Sequence, residues 1–169
     1  MADPHIESPM DWIDHTTVII YRLGLTLAIP TVALLPWGID LPIQQLIMLA
    51  AAMCASSLHI YMKSFRLLLQ MATWVGLVLV ILGFPMIGLG GALITLGGLC
   101  FKEYFCFKIP GLPFQPLLLA GLWFAMQFGW TTEAKVIASA SAILFLMVSV
   151  AKWRMPRHFD IGDKNNYEV

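Results

Sequence analysis

Apolar residues gather along this chain in six long blocks, separated by short stretches that carry polar residues, proline or glycine. The blocks cover 17–37, 41–62, 67–84, 86–107, 113–130 and 134–153. A helix needs about 20 mostly apolar residues to cross the hydrocarbon core of a bilayer, so the pattern predicts six membrane-spanning helices. Arg22 and Pro30 lie inside the first block, a turn at Gly38, Ile39 and Asp40 precedes the second, and Gly83, Phe84 and Pro85 close the third. The fourth is purely apolar only to Phe101, and continuing it to Phe107 makes it long enough to cross with some tilt. Pro110, Gly111 and Pro113 then end that helix and turn the chain. The expected architecture is all-α and polytopic. It is one integral membrane domain over 1–169, with a short amino-terminal tail 1–15 and a carboxyl-terminal tail 154–169.

Composition changes this from a pattern into a class. Hydrophobic residues make up 59% of the chain, charged residues 12%, and the mean hydropathy is +0.80. Soluble domains run near 45–50% apolar and about 25% charged. Ten basic residues balance ten acidic ones, which argues against nucleic acid as a partner. The opening MADPHIESPMDWIDH has four acids and neither Lys nor Arg, the reverse of a cleavable leader, so the first segment is expected to be retained.

Charge placement sets an expected orientation. With both termini cytoplasmic, the inner connections and tail hold Lys63, Arg66, Lys102, Lys108, Lys152, Arg154, Arg157 and Lys164, while the outer ones hold only Lys135. That asymmetry follows the positive-inside rule, and Trp12, Trp37, Trp130 and Trp153 fall near the expected interfaces. Small residues mark the expected helix contacts: Gly88, Gly91, Gly97 and Gly98 in the fourth segment, Ala138 and Ala142 in the sixth. They let backbones approach closely where lipid gives no hydrophobic drive. A glycine-lined passage for a small solute is the competing reading.

A polar cluster is expected at the inner face. Arg22, His59, Lys102 and Glu103 fall at similar depth, and intramembrane ionisable groups usually pair with one another inside the bundle. Glu103 is the expected partner of Arg22. Competing structural readings are snorkelling of Arg22 and Lys102 to the headgroups and a pair that only fixes helix register. Lys102 shares a helix face with Cys106, four residues on, making Cys106 a candidate reactive thiol. Cys100 and Cys106 are separated by a helical rise of about 9 Å, too far for an unstrained disulfide at roughly 7 Å. A weak repeat relates LPIQQL from Leu41 to LPFQPL from Leu112, placing Gln44 and Gln115 in equivalent positions of two inverted three-helix halves.

The runs CFKEYFCF from Cys100 to Phe107 and IYRLGL from Ile20 to Leu25 resemble a family of small bacterial and cyanobacterial integral membrane proteins, defined as a domain of unknown function. The resemblance implies the bacterial inner membrane and brings no activity or site residue with it. No nucleophile–base pattern, nucleotide loop or metal-ligand set is evident in the sequence, so neither an enzyme nor a cofactor is expected. Two functions remain. One is an accessory, assembly or scaffold subunit that binds another membrane protein, or itself, through apolar faces. The other is a small transporter or channel for a solute or ion.

Overall fold

Lipid offers no partner for a bare peptide group, so apolar segments satisfy their backbones by coiling. Residues 9–167, the part described in this computed structural model, are helices joined by turns. The helices are α1 (Trp12–Leu34), α2 (Ile43–Ser56), α3 (Lys63–Ile81), α4 (Pro85–Phe107), α5 (Gln115–Gln127), α6 (Thr131–Arg154) and the short α7 (His158–Ile161). Single 3-10 turns stand at Leu35–Trp37, Leu112–Phe114 and Lys164–Asn166.

Four of these, Trp12–Trp37, Lys63–Ile81, Pro85–Phe107 and Thr131–Arg154, are long and apolar enough to cross a membrane. The second and fifth expected segments are shorter than predicted. α2 has 14 residues and α5 has 13, about 21 and 20 Å against a core of roughly 30 Å. α2 stops at Ser56, and residues 57–62 run non-helical, tied by Arg66 donating to the Ile60 carbonyl at 2.9 Å. Before α5, Pro113 and Pro116 confine the chain to a 3-10 turn and an N-terminal helix position.

Both tails also differ from expectation. Residues 1–8 lie outside the described part, and α1 begins early, at Trp12. Asp11 accepts from the Asp14 N–H while Asp14 accepts from the Asp11 N–H, a reciprocal cap. The carboxyl-terminal stretch does not trail away. Pro156 follows the end of α6, and α7 folds back against α1. Lys164 reaches Asp14 at 2.5 Å, the Asp163 N–H donates to the Tyr61 hydroxyl at 2.7 Å, and Tyr167 packs edge-on against Tyr61.

α4 is the central helix, touching α2, α3, α5 and α6, while α1 and α6 pack together beside it. The core runs through Leu25, Ile47, Leu89, Leu96, Leu122 and Phe145, all at 0% exposure. Glycine decides two of α4's contacts. A β-carbon on Gly88 would stand 2.5 Å from the Gly76 carbonyl of α3, and one on Gly91 would strike the Ala72 carbonyl. On the opposite side, a β-carbon on Gly97 would lie 2.9 Å from the Pro116 Cα of α5. Gly98 makes room for the Leu69 side chain, and Ala138 and Ala142 are buried on α6. α3 is the outlier. Half of α4's apolar window is buried, against 17% of α3's.

Candidate functional site

One end of the bundle collects buried charge. There α1 begins, α2 and α4 end, α3 and α5 begin, and the fold-back of α7 closes over α6. Tyr21 and Arg22 come from α1, Lys102 and Glu103 from the last turns of α4, Lys152 from the last turn of α6, and Asp160 from α7. Lys152 has one 2%-exposed side chain between two carboxylates.

The pairing differs from the expected Arg22–Glu103 bridge. Arg22 binds Asp160 instead, Nε donating at 2.8 Å and Nη2 at 2.5 Å to the same Oδ2. Lys152 pairs with the other oxygen of Asp160 and stands 3.0 Å from Glu103 Oε2. Glu103 Oε1 accepts from the Tyr21 hydroxyl at 2.7 Å and from Lys102 at 3.1 Å. Arg22, Asp160, Lys152, Glu103 and Lys102 thus form one chain of alternating charge. The physical reason is topological: α6 and the fold-back interpose a cation and an acid between Arg22 and Glu103. Removing charges from water is costly unless each finds a partner of opposite sign, and here each does. Aromatic faces complete the enclosure, with Lys152 Nζ 5.4 Å from the Tyr21 ring centre and 5.7 Å from that of Phe107.

The other expected members are placed less centrally. His59, in the non-helical stretch, has Nε2 3.1 Å from the Thr17 hydroxyl. That hydroxyl gives its proton to the Asp14 carbonyl at 3.0 Å, so His59 is the donor. Burial first, and then the positive charge of Lys102, push the His59 pKa down to about 4, leaving the ring neutral. Cys106 is exposed and shares a cavity wall with Lys102; among the described residues no hydrogen bond joins the two. The repeat-related glutamines have different surroundings. Gln44 donates to the Met86 sulfur at 3.7 Å, while the fully buried Gln115 donates to the Ser141 carbonyl at 3.1 Å.

Lys152 and Asp160 are members that the sequence reading did not assign. Lys152 had a signal, since it lies in the last turn of an apolar segment, as Lys102 does. Asp160 had a fainter one: it sits between Phe159 and Ile161 after a proline, an apolar pattern unsuited to a free tail. Among the described residues no group of three or more His, Cys, Asp or Glu is placed to hold a metal ion.

Comparison with known proteins places the chain among integral membrane proteins. Residues 80–169 match the family described as "Uncharacterized integral membrane protein (DUF2301)", a stretch that contains Lys102, Glu103, Lys152 and Asp160. A protein of Haemophilus influenzae, named only "Uncharacterized protein", is 53% identical over 169 residues, covering all of both chains. No solved structure matches.

Proposed function

The chain belongs to this family of uncharacterized integral membrane proteins, and from that premise we infer an accessory or assembly subunit of the bacterial inner membrane. In this reading α1 to α6 are six membrane segments, both termini are cytoplasmic, and the charged end faces the cytoplasm, as the positive-inside distribution suggests. The subunit binds a second integral membrane protein sideways, through α3. One observation carries this. Leu67, Met71, Trp74, Val78 and Ile81 are all exposed, at successive spacings of four, three, four and three residues. That is the seam by which one helix sets its side chains into the holes of another. The same helix is held to its own bundle by only three buried residues, Leu69, Thr73 and Gly76.

The test is isolation of the tagged chain in a gentle detergent, with and without the double change Met71→Ala and Trp74→Ala. The expected result is a stoichiometric larger membrane protein that is lost from the variant, with the chain's own melting temperature unchanged because both side chains are exposed. Isolation of the chain alone would overturn the reading.

A second reading, a transporter of two inverted halves, is favoured by helix length. The first three helices have 23, 14 and 19 residues and the next three 23, 13 and 24, so the two short helices hold corresponding places. Against it, the buried ion pairs gather at one end rather than midway along the bundle. Collapse of an ion or solute gradient by the chain in proteoliposomes would replace the first reading with the second.

A further inference from the structure

Two neighbouring cavities open on the side of the bundle, away from the exposed seam of α3. One is a groove of about 660 Å³ between α3 and α5, floored by α4. Leu68 and Val75 form one wall, Trp123 and Phe124 the other, and Gly90 and Ile94 the floor; no charged side chain lines it. The second, about 410 Å³, lies at the charged end and includes Lys102, Lys152, Asp160 and His59 in its walls. Phe65 and Phe101 line both, so the apolar groove and the polar cavity are neighbours that share these two rings as a common wall. Each volume falls within the roughly 300–1,000 Å³ of small-ligand sites.

Shape and charge together select the occupant. Along α4 the groove extends from Ile87 to Phe101, about 21 Å at 1.5 Å per residue, longer than one leaflet of a core roughly 30 Å thick. Such a slot accepts an extended hydrocarbon chain. At its polar end Lys102, Lys152 and Asp160 line the wall, and in the ion-pair chain to which they belong three cations (Arg22, Lys102, Lys152) meet two carboxylates (Glu103, Asp160). The surplus positive charge is at Lys102, the one member with a substantially accessible side chain, 22% exposed. Its ammonium has three donors, of which one goes to Glu103. An apolar chain ending in a single negative charge complements both parts of the cavity.

We propose that the two adjacent cavities together bind one anionic phospholipid, its acyl chain in the α3–α5 groove and its phosphate reaching past Phe65 and Phe101 to Lys102. A zwitterionic headgroup supplies the same phosphate but adds a cation that meets the surplus charge, so the site discriminates by net charge. Ala120 is exposed on the groove wall, and a larger side chain there fills the slot without entering the core.

The experiment is native mass spectrometry of the delipidated full chain, titrated in parallel with phosphatidylglycerol, phosphatidylethanolamine and glycerol 3-phosphate. One phosphatidylglycerol should be retained on the order of tenfold more tightly than phosphatidylethanolamine, about 1.4 kcal/mol. Lys102→Gln should erase that preference while leaving acyl-dependent binding, and Ala120→Phe should weaken both lipids while leaving melting in lipid-free detergent unchanged. Equal retention of the two lipids overturns the proposal. So does binding of glycerol 3-phosphate as tight as that of the lipid, retention indifferent to Ala120→Phe, or a lipid-free dimer that occupies the groove. The Met71→Ala, Trp74→Ala variant should retain lipid as the parent does, which separates failure of this site from failure of the partner seam.

Discussion

The charged end and the α3–α4 seam hold helices together by opposite means. At the charged end, four elements meet through side chains that reach across gaps: Arg22 of α1, Glu103 of α4, Lys152 of α6 and Asp160 of α7. Along the seam, two helices meet by having no side chains in the way, at Gly76, Gly88 and Gly91. Reach tolerates displacement but demands a partner for every charge. Close approach needs no partner but tolerates almost no added atom. The first joins elements far apart in the chain, whereas the second joins neighbours across the short turn between α3 and α4.

The largest expected effect breaks the charged end. Lys152→Met leaves two fully buried carboxylates facing each other, and removing one side of such a pair costs about 3–5 kcal/mol. Thermal unfolding in detergent should show a loss of that size, and adding Glu103→Gln should recover much of it. A second cycle, Arg22→Met with Asp160→Asn, should also depart from additivity. Additive losses in both cycles would mean that these charges do not act as a chain.

Next comes the seam. Gly91→Leu drives a side chain into the Ala72 carbonyl, overpacking expected to cost about 1–3 kcal/mol. Its loss should add to that of Lys152→Met, since the two share no partner. Coupling between them would show that α3 and the charged end are one unit rather than two.

The two regions were unequally legible in the sequence for the same reason that they respond differently. Close approach is written locally: Gly88, Gly91, Gly97 and Gly98 mark α4 as a packing helix before any partner is known, although Gly76 and Gly24, which also stand at close contacts, are single glycines that no local pattern marks. Charge pairing is written globally. Arg22, Lys102 and Glu103 were recognisable as a cluster from depth alone, but the partner of Arg22 depended on a fold-back after Pro156 that apolar blocks do not encode. The lengths of α2 and α5 failed for a related reason. An apolar run shows what avoids water, not where the helix stops, and both runs end in stretches that tertiary contacts hold out of helix.

A smaller effect tests how closed the charged end is. His59 titrates near 4, below the ordinary 6.5, because burial and Lys102 disfavour its charged form; Lys152 acts likewise, while Asp160 and Asp14 oppose. The unfolded chain therefore binds more protons between those values, and stability falls as pH drops through that window. From pH 6.5 to 5.5 the loss should be about 1 kcal/mol. His59→Gln should flatten this part of the melting profile, and an unchanged profile would mean that His59 is open to water.

The smallest expected effect lies where α4 leaves the charged end. Lys108 caps the helix in the left-handed region, at φ 53°, its N–H donating to the Tyr104 carbonyl at 2.8 Å. It is the one non-glycine residue with positive φ among those described. Side-chain crowding makes that conformation costly for an L-residue by about 1 kcal/mol or more, and glycine is the usual solution at this position. The side chain returns part of that cost, since Lys108 Nζ lies 5.9 Å from the Tyr104 ring centre, a contact worth about 0.5–1 kcal/mol when exposed. Lys108→Gly removes both terms and should change stability little. Lys108→Ala removes the ring contact and keeps the strain, so it should melt lower. The difference between the two variants isolates the backbone term at about 1 kcal/mol, and equal melting would show that the left-handed conformation carries no such cost at this position.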